Sequence, residues 1–136
     1  MKPTAGSSMF PAILPGSSLE TVEKPPQEIT VGDIICYPGE NKTVIAHRVI
    51  DIEQTEGRRT FITRGDAQTT VERIDESAVV AVVVRVVHPL LTYAVHDSVG
   101  RRFAKWATDR SIPATITRSA AAMLWTTAVG IKRRLL

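Results

Sequence analysis

The chain holds 136 residues, enough for one domain or a small domain with an appendage and too few for a multidomain machine. Apolar residues make up 43% and charged residues 23%, the balance of a chain that buries a core, which excludes a wholly disordered protein. The net charge of +3 divides unevenly: residues 1–99 carry 9 Lys and Arg against 13 Asp and Glu, a net of −4, and residues 100–136 carry 8 against 1, a net of +7. A basic tail on an acidic body points to an anionic partner for the tail or to a solvated helix face. The single cysteine, Cys36, excludes an internal disulfide and a cysteine metal site, and its place in Ile-Ile-Cys-Tyr is that of a small buried hydrophobe.

The opening, Met1 to Ser8, has no apolar run of the kind a secretory signal needs, so the N-terminus is expected in the cytoplasm. Ser18 to Val22 reads as a strand ended by Pro25-Pro26, and Asp33 to Tyr37 as a second closed by Pro38-Gly39. Thr43 to Glu53 is a third, with Val44, Ala46, Arg48 and Ile50 on one face and Ile45, His47, Val49 and Asp51 on the other. Gln54 to Arg58, with Gly57, reads as a hairpin loop into a strand at Thr60 to Arg64, and Ala78 to Val87 as a strand buried on both faces. Beyond His88-Pro89 the period changes. Leu91, Val95, Val99, Phe103 and Ala107 are spaced by four, as on an amphipathic helix, and a second helix is expected after Ser111-Ile112-Pro113. The pattern divides the chain into a β domain over residues 1–89 and a basic helical extension over residues 90–136. The uncharged stretch Ser119 to Ile131 counts 13 residues, or about 20 Å of helix against a hydrocarbon core of about 30 Å, and is too short to span.

Three segments each offer one part of a hydrolytic site. Gly6-Ser7-Ser8-Met9-Phe10-Pro11 is a bend that presents a hydroxyl, Ala46-His47-Arg48-Val49 offers an imidazole, and Arg64-Gly65-Asp66 at a strand end offers a carboxylate. A Ser hydroxyl becomes a nucleophile only when a base takes its proton, and a neutral His needs a partner to hold its tautomer. The ordinary roles of the same residues are a capping serine at a turn, a satisfied half-buried strand histidine and a Gly-Asp turn. His88 and His96 read as structural or exposed, and no metal signature, cofactor motif, phosphate loop or nucleic-acid-binding pattern is present in the sequence.

Taken in order, Gly-Ser-Ser-Met-Phe-Pro, Gly32-Asp33-Ile34-Ile35 with Tyr37, His47-Arg48-Val49, Arg64-Gly65-Asp66 and the valine-rich strand resemble the type I signal peptidase and LexA superfamily of serine peptidases, from Thr4 to about Pro89. The resemblance implies a mostly β, coiled-sheet fold carrying the helical tail. It implies Ser8, the serine before Met9, as nucleophile. His47 in a His-Arg-Val box matches the archaeal and endoplasmic-reticulum branch, where histidine replaces lysine as general base. Asp66, 19 residues on, would be its orienter. That branch places a second acidic residue six positions later, where this chain has Glu72, with Asp75 as a rival. Gly6 stands where signal peptidases commonly have a Ser that helps the oxyanion, which leaves that task to the backbone around Ser8 and Met9, with the Ser7 hydroxyl assisting. Signal peptidases also carry a membrane helix before the serine box, whereas seven residues precede Ser8 here.

The function expected is a serine endopeptidase acting on a leader or signal-like peptide or a regulatory protein, without cofactor or metal. The alternative is a degenerate peptide-binding module on the same scaffold. The expected partners are a peptide or protein substrate and, through the basic tail, an anionic membrane surface, for a cytoplasmic protein peripheral to that membrane.

Overall fold

The computed structural model describes residues 7–109. Within them the chain runs through β1 (Ser18–Val22), β2 (Ile34–Pro38), β3 (Val44–Thr55), β4 (Arg58–Arg64), β5 (Glu72–Asp75), β6 (Ala81–Val87), β7 (Tyr93–Ala94) and α1 (Ser98–Thr108). The strands form one antiparallel sheet in the order β1-β6-β2-β3-β4-β5, with β7 also paired to β6. The protein is mostly β, as its punctuation implied. The short strand β5 was not foreseen, because Glu-Arg-Ile-Asp offers one apolar residue and draws its order from pairing Ile74 with Phe61.

Central β2 explains why the sheet is covered twice. Its residues Ile34, Ile35, Cys36 and Tyr37 are all buried, and alternate side chains point to opposite faces. On one face Ile34 and Cys36 join Met9, Ile13, Leu19, Val83, Val86 and Tyr93. On the other Ile35 and Tyr37 join Ile29, Val49, Phe61 and Val82. Burial also raises the Cys36 thiol to about 11, which keeps it protonated and inert.

The hairpin between β3 and β4 turns on Glu56 and Gly57, both at positive φ (53° and 76°), the requirement of a tight turn whose twist matches its strands. Farther back, Val49 opposes Thr63 and Asp51 opposes Ile62, so Ile50 bulges out of register. The alternation expected for β3 therefore holds only through Val49. Asp51 does not share the face of His47, and Ile52 returns to pack beside Phe61's cluster.

The expected helix from Leu91 begins later. Ala94 and Tyr93 pair with Arg85 and Val86 of β6, and Tyr93 and Val95 are buried in the first core. α1 starts only where Asp97 accepts from the Gly100 amide at 2.8 Å. A Cβ on Gly100 would lie 2.2 Å from the Val95 carbonyl oxygen, so glycine permits that sharp entry. Spacing by four cannot tell a helix from an extended segment whose apolar residues meet one core. His96 lies before the helix, not on it, and its Nε2 is 2.9 Å from Oδ1 of the buried Asp33. The core thus runs past the boundary drawn at residue 89, and β7 and α1 belong to the same packed unit as the sheet. The second expected helix and the stretch from Ser119 lie outside the described residues. Among the described residues no helix is long and apolar enough to cross a membrane.

Candidate active site

β3 carries the imidazole. His47 pairs with Ile35 across β2, which puts it on the sheet face shared by Ile35 and Tyr37, and it is 5% exposed. The next residue, Arg48, points to the other face and is the first to pair with β4, opposite Arg64. Beyond that pair β4 ends, and Gly65 and Asp66 leave the sheet. Against that loop lies the turn that starts at Ser8, within reach of His47.

That turn is fastened to the core and to the loop after β4. Met9 is 4% exposed within the first core, and its sulfur accepts the Asp66 amide at 3.4 Å. The Ser8 carbonyl accepts from the Ala67 amide at 2.9 Å. Glycine at 65 allows this stitch, since a Cβ there would lie 2.5 Å from the Ser8 carbonyl oxygen. The result is a half-buried Ser8 whose Oγ lies 3.0 Å from His47 Nε2, a hydrogen-bonding distance. Ser7 is exposed, with its carbonyl accepting from Phe10.

On the other side of the ring, His47 Nδ1 lies 3.1 Å from Tyr37 Oη, and the same Oη lies 3.2 Å from Thr63 Oγ1. The two rings meet edge-on, with centroids 6.2 Å apart. Tyr37 thus occupies the position beside Nδ1 where Asp66 was expected. Asp66 is clamped by its sheet neighbour: Arg48 Nε donates to Oδ1 at 3.0 Å and Arg48 Nη2 to Oδ2 at 2.8 Å, while Nη1 donates to the Gly32 carbonyl at 2.9 Å. Both partners are 1% exposed, and their bidentate contact offsets the cost of taking two charges out of water. Burial alone would lower the Arg48 pKa, and the charge and hydrogen bonds of Asp66, followed by the charges of Tyr93 and Asp33, raise it overall.

The electrostatics of His47 follow the same accounting. Burial pulls its pKa below 6.5, against the Glu72 and Asp66 carboxylates, which pull it up. Asp66 therefore bears on the imidazole through its charge. Glu72 is exposed, faces Thr63 across the β4–β5 ladder, and acts on both His47 and Tyr37. Its rival Asp75 is engaged elsewhere, in an exposed pair with Arg58 at 2.7 Å. Burial pushes the Tyr37 phenol up to about 12, so it keeps its proton at neutral pH. Among the described residues no group of three His, Cys, Asp or Glu side chains is arranged to hold a metal ion.

The sequence located Ser8 and His47 but passed over Tyr37 and Thr63 as site residues. The available signal was a phenol inside an otherwise apolar buried strand, since such a hydroxyl needs a partner. Which partner it meets depends on strand register. No family model, no curated protein and no solved structure matches the chain.

Proposed function

We propose that the chain is a serine endopeptidase of the signal peptidase-like type, with Ser8 as nucleophile and His47 as general base. The observation that carries this reading is the 3.0 Å approach of Ser8 Oγ to His47 Nε2, made by residues 39 positions apart, with the Ser8 carbonyl and the Met9 sulfur both tied to the Asp66–Ala67 backbone. In the reaction Ser8 Oγ attacks the scissile carbonyl while its proton passes to Nε2. The tetrahedral intermediate collapses when Nε2 returns that proton to the leaving amine, and water, deprotonated by the same nitrogen, releases the acyl group from Ser8. Among the described residues no acceptor takes the Ser8 or Met9 amide, and in this reading these two amides bind the oxyanion. The half-buried position of Ser8 suits an extended peptide reaching the sheet edge, and the substrate class is a leader or signal-like peptide or a regulatory protein.

The decisive experiment is labelling of the full chain with a serine-reactive fluorophosphonate. Wild type is expected to be labelled at Ser8, and Ser8→Ala and His47→Ala to be unlabelled while folded. Absence of label on folded wild type would leave the peptide-binding module as the better reading.

A further inference from the structure

His47 has two nitrogens and, when neutral, one proton. Only the tautomer with the proton on Nδ1 leaves Nε2 a lone pair for Ser8. The group at Nδ1 is the Tyr37 hydroxyl, which has a single proton of its own and lies within reach of both Nδ1 and Thr63 Oγ1. The chain of contacts can therefore run in two directions. If Tyr37 donates to Nδ1, the proton sits on Nε2 and His47 cannot act as a base. If Tyr37 donates to Thr63, its oxygen accepts Nδ1–H and the base is ready.

The charges decide between them. Glu72 is the cross-strand partner of Thr63, so its carboxylate lies on the Thr63 side of the chain of contacts, on the same sheet face. A negative charge at that end favours donor hydrogens that point toward it. Asp66 also bears on the ring, and its charge is largely met by Arg48. Resting on the hydrolytic reading above, we propose that Tyr37 is the positioning residue of the site: it accepts Nδ1–H of His47 and donates to Thr63 Oγ1, with Glu72 polarising the chain in the sense Ser8 to His47 to Tyr37 to Thr63. Buried Tyr37 and Thr63 supply a fixed acceptor and fixed donor geometry, and the exposed Glu72 supplies the sign.

The test has two arms on the full chain. In protein labelled with nitrogen-15 at histidine, proton–nitrogen correlation spectra at about pH 8, where imidazole is neutral, separate the nitrogen that carries the proton from the one that carries the lone pair. His47 is assigned by the signal lost in His47→Gln. Wild type should carry the proton on Nδ1. Tyr37→Phe keeps the ring and removes its hydroxyl, and should move the proton to Nε2. Thr63→Val should do the same by removing the acceptor of Tyr37, and Thr63→Ser should restore the wild-type state. Glu72→Gln should give a partial shift. In the second arm the fluorophosphonate labelling rate should fall about 10²-fold in Tyr37→Phe and Thr63→Val, and recover in Thr63→Ser. A proton on Nε2 in wild type overturns the proposal, as does a Tyr37→Phe protein with unchanged tautomer and labelling rate. The expected tautomers in a wild type that is never labelled would overturn the hydrolytic reading and uphold the role of Tyr37.

Discussion

At the scale of single residues, the site depends on how His47 is buried. Its pKa lies below 6.5, chiefly through loss of water, and the proposed base works only when neutral. The acid limb of the labelling or hydrolysis rate should therefore have its midpoint below 6.5, lower than an exposed histidine would give. Glu72→Gln removes a charge that raises this pKa, so its midpoint should move lower still, and an upward movement in the measured pH–rate profile would contradict the assignment. The same depression has a stability consequence. Between the folded pKa and 6.5 the unfolded chain binds more protons at this residue, so the His47 contribution to stability falls as pH drops through that window. Gly65 is the other sensitive position. In Gly65→Ala the new methyl group would press on the Ser8 carbonyl, and the Ser8 turn would have to withdraw from His47. We expect labelling to fall about tenfold or more, a misplacement effect, with the circular dichroism of the sheet retained.

At the scale of elements, the Arg48–Asp66 pair ties the first residue of β3 covered by β4 to the loop that receives Ser8. Arg48 also holds the Gly32 carbonyl just before β2, so one guanidinium joins three segments. Asp66→Asn leaves that guanidinium buried with its counter-charge gone, and denaturant unfolding should register a loss of about 3 to 5 kcal/mol. Loss below about 1 kcal/mol would mean that the cation is served by other groups. The exposed pairs Arg58–Asp75 and Arg73–Glu53 are of a different kind, and their removal should hardly change the unfolding midpoint. At this scale much was legible in the sequence. Pro25-Pro26, Pro38-Gly39 and Gly57 marked ends and turns correctly, because proline and glycine act through their own backbone. The start of α1 was misplaced because Leu91 and Val95 face the core from an extended segment, and β5 was missed because its partner creates it.

At the scale of the whole molecule, the charge division sets the body against the tail. The tail's cations Arg101, Arg102 and Lys105 lie on α1, all exposed, and the remaining five belong to residues 110–136. Each Lys or Arg near an anionic leaflet is worth about 1 kcal/mol, enough for several together to hold a protein at a membrane without crossing it. Full-length chain is expected to sediment with anionic vesicles at low salt, to release as salt rises, and to stay in the supernatant with neutral vesicles. Removal of residues 111–136 should abolish sedimentation. Equal recovery of both forms in the supernatant would assign the tail to another partner or to solvent.

The sequence by itself determined the mostly β character, the turns and the chemical identity of the two central residues, Ser8 and His47, because these follow from side-chain type and local backbone preference. Tertiary structure alone decided which groups stand beside them. Whether Nδ1 of His47 meets a carboxylate or a phenol depends on the pairing of Ile35 with His47, which sets Tyr37 and His47 on one face of the sheet, and on Arg48, whose buried charge draws Asp66 to itself. Strand register and the pairing of buried charges are long-range outcomes, settled by packing and desolvation across the sheet, and no local stretch of chain contains them.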